Sequence, residues 1–286
     1  MNNITKKTLN LRGKLITLDK PIVMGILNIT PDSFYDGGKY ISEKAILERA
    51  KEILEQGASI IDIGAYSSRP GAKDISEEEE IKRLTRALTI VRQHLPDAII
   101  SVDTFRPKVA EIVLRDFNVQ MINDIMGGGE NMQIFEVIAK WNVPYVLMHI
   151  KGTPQTMQLN PYYDDLIQEI ILYFAEKLDK LRGLHINDVI IDPGFGFGKT
   201  LEHNYQILSK LDVFKTLFSE PILVGFSRKS MIFKLLNIKP QQALNGTTVL
   251  NTIALIKGVD ILRVHDVKEA VETIKIVEKL KQLSNN

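Results

Sequence analysis

The sequence predicts an α/β fold, a TIM (β/α)8 barrel carrying an N-terminal β-hairpin. Three observations predict it. Short apolar runs rich in branched residues, too brief for helices, recur eight times from Pro21 onward. Each run ends on a polar residue, and loops and helices separate the runs. No composition break or Pro- or Ser-rich linker divides the 286 residues. One domain over residues 1–286, with residues 1–20 as the hairpin extension, therefore suits the chain better than a doubly wound sheet.

The hairpin comes first. Residues from Lys7 to Leu18 alternate on either side of Arg12-Gly13, a turn pair, and should cover one end of the barrel. The first barrel strand runs from Ile22 to Leu27 with Asn28 at its exit, and Pro31 and Asp36-Gly37-Gly38 turn the chain into a helix capped by Ser42. The second, from Ser59 to Ile63, holds Asp62 and opens a long loop to Ile75. Ser76 and Glu79 form a capping box, and the acidic run from Glu77 to Glu80 reads as a solvated helix start. The third strand, from Ala98 to Val102, exits at Asp103-Thr104. The fourth, Met121-Ile122, exits at Asn123-Asp124 before Gly127-Gly128-Gly129, read as flexible. The fifth, from Pro144 to Met148, exits at His149, with a helix expected from about Tyr162 to Arg182. The sixth, from Val189 to Ile191, exits at Asp192. The seventh, from Pro221 to Gly225, exits at Ser227-Arg228-Lys229-Ser230, with a helix over about Gln241 to Lys257 beyond. The eighth, Ile261-Leu262, exits at Arg263 and His265, and a closing helix runs to about Leu283.

Bulk composition excludes several functions. Apolar residues make up 44% and charged residues 25%, ordinary for a folded protein. A formal charge of +1 supplies no general attraction to nucleic acid or an anionic membrane. The absence of cysteine removes disulfides, thiolate zinc sites and thiol catalysis. With no leader-like apolar start and no run long enough to span a bilayer, a cytoplasmic protein is expected.

In a barrel the C-terminal strand ends converge on one mouth, where catalytic groups sit. Polar residues at all eight exits indicate an enzyme. Asp103, Asn123 and Asp192 suit a flat, nitrogen-rich heterocycle: a carboxylate accepts two parallel N–H groups, and an amide matches a donor beside an acceptor. Loop capping, or pairing with Lys199 or Lys229, is the competing role for the aspartates. Arg263 and His265, two apart on one strand, face the same way and form an anion site, to which Arg228 and Lys229 add cations, with surface charges on a loop as the competing reading. The segment from Gly194 to Thr200 resembles a phosphate loop but has proline at position 193, where that motif needs glycine. It reads as a flexible loop that presents Phe197 to the mouth, with Phe195 in the core. No spacing supports zinc; a magnesium ion held on substrate phosphates and touched by Asn28 is compatible with the donors.

Met24-Gly-Ile-Leu-Asn-Ile-Thr-Pro-Asp-Ser-Phe34, Ser68-Arg-Pro-Gly71, Ser101-Val-Asp-Thr104, Asn123-Asp124, Asp192-Pro-Gly-Phe-Gly-Phe-Gly-Lys199, Ser227-Arg-Lys-Ser230 and Arg263-Val-His265 occur in order. Together they resemble the dihydropteroate synthase family. The resemblance implies a homodimeric TIM-barrel transferase of folate biosynthesis. It implies joining 7,8-dihydropterin-6-ylmethyl pyrophosphate to 4-aminobenzoate, with Mg2+, to give dihydropteroate and pyrophosphate. By motif it implies Asp103, Asn123, Met148, Asp192 and Lys229 at the pterin, and Asn28, Arg263 and His265 at the pyrophosphate, with Asn28 also at the metal. Phe34, Ser68, Arg69, Pro70, Phe197 and Ser230 would shape the aminobenzoate pocket. Asp103, Lys229, Arg263 and His265 would be catalytic.

Two stretches depart from the family pattern. Ala65-Tyr66-Ser67-Ser68 stands where Gly-Glu-Ser-Thr is frequent, and Lys151 adds a charge after His149 with no role readable from sequence. A methyltransferase barrel that binds methyltetrahydrofolate shares the pterin acids but needs no anion cluster. A pterin-binding paralogue without turnover is the non-enzyme alternative.

Overall fold

Hydrogen-bonded pairing follows the alternation in the sequence. The structure, a computed structural model, describes residues 8–30, 42–68, 72 and 74–284. β1 (Thr8–Leu11) and β2 (Lys14–Thr17) pair antiparallel, with Leu11 opposite Lys14. Arg12 and Gly13 take φ of 55° and 92°, the left-handed values that a two-residue hairpin turn requires. Leu9, Leu11 and Leu18 are buried against Met24, Ile60, Met121, Val146, Ile190, Leu223 and Ile261, which line the barrel interior near the strand starts. Arg12 Nη1 donates to Leu114 O at 2.8 Å, and its guanidinium lies 5.2 Å from the Trp141 ring centroid. The hairpin thus closes the N-terminal end of the barrel, opposite the strand exits.

The barrel strands are β3 (Ile22–Asn28), β4 (Ile60–Gly64), β5 (Ile100–Asp103), β6 (Met121–Asp124), β7 (Tyr145–Met148), β8 (Val189–Asp192), β9 (Leu223–Val224) and β10 (Ile261–Val264). All neighbours are parallel, in the order β8-β7-β6-β5-β4-β3-β10-β9, and a bridge between Ile191 and Ile222 joins the two ends. The sheet therefore closes as a TIM barrel. Register matters for the site: Asn28 pairs with Gly64, Gly64 with Asp103, and Asp103 with Asn123. Side chains from three different exits are brought to one level of the rim.

Helices cover the outside: α1 (Glu43–Glu55), α2 (Glu77–His94), α3 (Pro107–Phe117), α4 (Gln133–Trp141), α5 (Leu166–Gly183), α6 (Leu201–Ser209), α7 (Leu211–Leu217), α8 (Ser230–Phe233), α9 (Leu244–Ile256) and α10 (Val267–Ser284). Ser42 and Ser76 cap α1 and α2 through their hydroxyls, as expected, although the Glu79 carboxylate goes to Arg83 at 2.7 Å. A methyl at Gly25 would lie 2.4 Å from Ile53 Cγ2, so the glycine lets α1 lie close on β3. α5 starts later than the sequence suggests because Asp165 Oδ1 caps Gln168 N–H at 3.0 Å. α9 starts after a 3-10 turn over Pro240–Gln242.

Candidate active site

Arg263, Asp62, Asp103 and Asn123 form one cluster at the mouth. Arg263 leaves the barrel wall on β10 and crosses the interior. Its Nε donates to Asp62 Oδ2 at 2.7 Å and its Nη2 to Asp103 Oδ2 at 2.7 Å. Asn123 Nδ2 donates to the same Asp62 oxygen at 3.1 Å. Burial pushes the Asp103 carboxyl up to about 7; Arg263 pulls it down, and Asp62 pushes it up again. Burial works against the charge on Arg263, but Asp62, Asp103 and Asp192 around it raise its pKa above the ordinary value.

Asp192 and Lys229 sit across the mouth. Asp192 Oδ1 accepts the Gly194 N–H at 2.8 Å, so the loop-capping role is real for one of its oxygens. Burial raises its pKa, and the Lys229 charge opposes that. Lys229 Nζ donates to Phe195 O at 2.6 Å and lies 4.9 Å from the Phe197 ring centroid. Burial brings the Lys229 pKa down to about 8. Phe195 is fully buried against Phe226, as expected, whereas Phe197 is half-buried beside Lys229.

The glycine loop is pinned, not loose. Gly194 and Gly198 have φ of 70° and 61°, and a methyl would meet His149 O at 2.0 Å or Lys151 O at 2.5 Å. Gly196 O accepts from Gln158 at 2.7 Å and Gly198 O from Tyr163 OH at 2.7 Å. Lys199, buried, points Nζ at His149 Nδ1 at 3.0 Å, His149 O at 3.3 Å and Phe197 O at 2.9 Å. Burial brings its pKa down to about 7 and drives that of His149 well below the usual imidazole value. Lys151 acquires a role: Nζ donates to Tyr162 O at 2.6 Å and Glu169 at 2.8 Å and lies 4.3 Å from the Tyr163 ring centroid. It ties the start of the β7–α5 loop to its end.

The other expected residues are distributed as follows. Asn28 is half-buried at the end of β3, and Met148 is buried on β7 in register with Asp192. The His265 N–H donates to Ser227 Oγ at 3.2 Å, joining the last two exits. Arg228 pairs with Asp266 at 2.9 Å and is exposed, so only Lys229 of the two expected cations faces the acids. Ser230 begins α8 and Ser68 is half-buried after β4. Phe34, Arg69 and Pro70, with the Pro31 and Asp36-Gly37-Gly38 turn, lie outside the described residues. Among the described residues no group of three or more His, Asp or Glu gathers for a metal. A single amide donor at Asn28 fits magnesium, which keeps waters and substrate phosphates as ligands.

Glu80 corrects the reading of the acidic run. It is fully buried: it accepts from Thr104 Oγ1 at 2.7 Å and Arg106 Nη1 at 2.8 Å. Arg106 also donates to Ile75 O at 2.7 Å and lies 5.5 Å from the Tyr66 ring centroid. The cluster thus ties the β5 exit to the β4–α2 loop. Spacing carried the signal, because Glu80 shares the helical stripe of Leu84, Ala87, Leu88 and Val91. Asp62, inside the second apolar run, is placed around the mouth by the barrel pattern, but nothing local in the sequence names its partners.

Fold and site together define a barrel enzyme whose acids and amide stand beside cations at one mouth. The chain matches the family described as pterin-binding enzymes over residues 24–265. It is 43% identical over 269 residues to the dihydropteroate synthase of Escherichia coli (strain K12), covering 93% of this chain and 94% of that one. With the Bacillus subtilis (strain 168) dihydropteroate synthase the identity is 39% over 264 residues, with coverage of 92% and 89%. Yersinia pestis dihydropteroate synthase, solved with a sulfonamide drug complex, superposes with a TM-score of 0.90 at 42% identity, covering 96% and 99% of the two chains. The Xanthomonas albilineans enzyme solved with 4-aminobenzoic acid gives 0.88 at 34% identity, covering 97% and 99%. The chain belongs to the pterin-binding enzymes and, among them, to the dihydropteroate synthases, which are transferases.

Proposed function

We propose that the mouth joins 7,8-dihydropterin-6-ylmethyl pyrophosphate to 4-aminobenzoate, releasing pyrophosphate and 7,8-dihydropteroate for folate biosynthesis. The observation that carries the assignment of the site is the Asp62–Arg263–Asp103 contact, which sets a cation for a leaving group against an acid for a ring. Asp103, Asn123, Asp192, Met148 and Lys229 hold the pterin. Asn28, Arg263 and His265 hold the pyrophosphate. Ser68, Phe197 and Ser230, with Phe34, Arg69 and Pro70, shape the aminobenzoate site.

The reaction begins with loss of the leaving group. The methylene C–O bond breaks and its electron pair leaves with pyrophosphate, whose growing charge meets Arg263 and His265. The dihydropterin ring delocalises the positive charge left on the methylene carbon, and ionised Asp103 stabilises it. The aromatic amine, held in line, donates its lone pair to that carbon and then loses a proton to solvent. No protein nucleophile takes part. Asn28 would offer its amide oxygen to magnesium, which supplies charge neutralisation on the pyrophosphate when bound.

A homodimer belongs to the same proposal. Among the described residues, eight of the fourteen exposed large apolar side chains follow α8, including Leu244, Val249 and Ile256 on α9 and Ile276 and Leu280 on α10. A second copy packed on this face would bury them, and sedimentation of Ile276→Glu should then show monomers. We also place the enzyme in the cytoplasm.

Mixing the two substrates tests the reaction. Pyrophosphate release that requires 4-aminobenzoate and yields dihydropteroate supports it. Pterin binding without release identifies a paralogue without turnover, and methyl transfer from methyltetrahydrofolate identifies the other barrel enzyme.

A further inference from the structure

We propose that Asp62 is a positioning residue for this reaction, a single buried anchor that sets Arg263 at the leaving group and Asn123 at the pterin ring together. The inference rests on the roles given above to Arg263 and Asn123. Asp62 lies one layer below the rim, in register with Ile26 on one side and Ser101 on the other. It is completely buried, and its Oδ2 accepts from both Arg263 Nε and Asn123 Nδ2, at 2.7 Å and 3.1 Å.

The arrangement is costly for stability alone. Asp62 Oδ1 and the neighbouring Ser101 Oγ are buried with no hydrogen-bond partner among the described residues. A fully buried carboxylate is an expensive interior group even when ion-paired, and a neutral residue of like volume would serve packing at least as well. What the carboxylate adds is direction. Held at Nε by Asp62 and at Nη2 by Asp103, the Arg263 guanidinium has a fixed plane, with Nη1 outside both ion pairs. Asn123 spends one amide hydrogen on Asp62, which leaves its carbonyl oxygen and its other N–H for a ring edge. Losing the anchor frees both ends of the substrate site at once.

The test uses the full chain and Asp62→Asn, which keeps an acceptor oxygen and the volume but removes the charge. A supporting residue of this kind is worth about 10- to 100-fold in rate. We expect kcat to fall by that factor per pterin site counted by calorimetry, with KM for the pterin substrate raised and KM for 4-aminobenzoate near wild type. Asp62→Ala, lacking the acceptor, should be slower still. Wild-type kcat in Asp62→Asn overturns the proposal. So does a fall in kcat matched in full by lost pterin sites, which marks a purely structural role. Arg263→Ala and Asn123→Ala run in parallel. Full turnover in either removes the role given to that residue and the anchor with it; loss in both with none in Asp62→Asn removes the anchor alone.

Discussion

Arg263 Nη2 lies 2.7 Å from Asp103 Oδ2, so the cation assigned to the leaving group already neutralises the carboxylate assigned to the ring. The pair is a poised one. On the proposed roles, a pyrophosphate arriving at Arg263 would compete with Asp103 for the guanidinium, and a ring cation at Asp103 would take over the role that Arg263 gives up.

That relationship makes the reaction pH-dependent in a stated direction. Burial lifts Asp103 to about 7 and brings Lys229 down to about 8. With Asp103 ionised and Lys229 charged in the working form, kcat/KM for the pterin substrate should rise through about pH 7 and fall through about pH 8. Arg263→Gln removes the influence that lowers Asp103 and should move the acid limb upward. Asp103→Asn should bind pterin but turn over slowly. Although Asp103 is paired with Arg263, burial outweighs the pairing, so the sign for stability is the reverse of that for an acid whose pKa folding lowers. The folded state holds the Asp103 proton more tightly between its ordinary 3.8 and about 7, so this group's contribution to stability falls as pH rises across that window. Asp103→Asn should therefore gain melting temperature relative to wild type on going from pH 5 to pH 8, measured by calorimetry.

Removing the central cation should cost both fold and rate. Arg263→Ala leaves Asp62 and Asp103 facing each other in the interior, and breaking such a buried pair costs about 3–5 kcal/mol. Turnover should drop by about 10² or more, since a charge aimed at the leaving group is lost. Arg263→Lys keeps the charge without the two-armed fork and should recover stability more than rate. Urea unfolding and steady-state kinetics measure the two separately.

The Glu80 cluster offers an independent test of loop positioning. Glu80→Ala leaves the Arg106 guanidinium without its buried partner and should destabilise the protein by about 3–5 kcal/mol. Glu80→Gln keeps an acceptor for Thr104 or Arg106 and should cost less. Because Arg106 also holds Ile75 O beyond Ser68, we expect KM for 4-aminobenzoate to rise more than KM for the pterin substrate. Equal effects on both would show that the cluster does not act through the β4–α2 loop.

The hairpin should matter for stability and not for chemistry. Leu11, buried at the closed end of the barrel, should cost about 2–5 kcal/mol when replaced by alanine. The kcat of the folded fraction should stay at the wild-type value, because the mouth lies at the opposite end. A lowered kcat per folded molecule would place the hairpin nearer the chemistry than the fold does.

What the sequence determined by itself is the plan: strand, polar exit, loop and helix, repeated until the barrel closes, with a hairpin in front. Those features are local, set by period and by turn residues such as Arg12-Gly13, and the rim residues follow because strand ends in a parallel barrel share one face. What tertiary structure alone decided is which rim groups pair. Asp62, Asp103 and Arg263 are up to 201 positions apart in sequence, and only barrel closure and register bring one guanidinium onto two carboxylates. The same holds for Glu80: its spacing puts it on the buried stripe of α2, but only packing supplies Thr104 and Arg106 as its partners. Periodicity reports which face a side chain takes; the partner it meets there depends on the other strands.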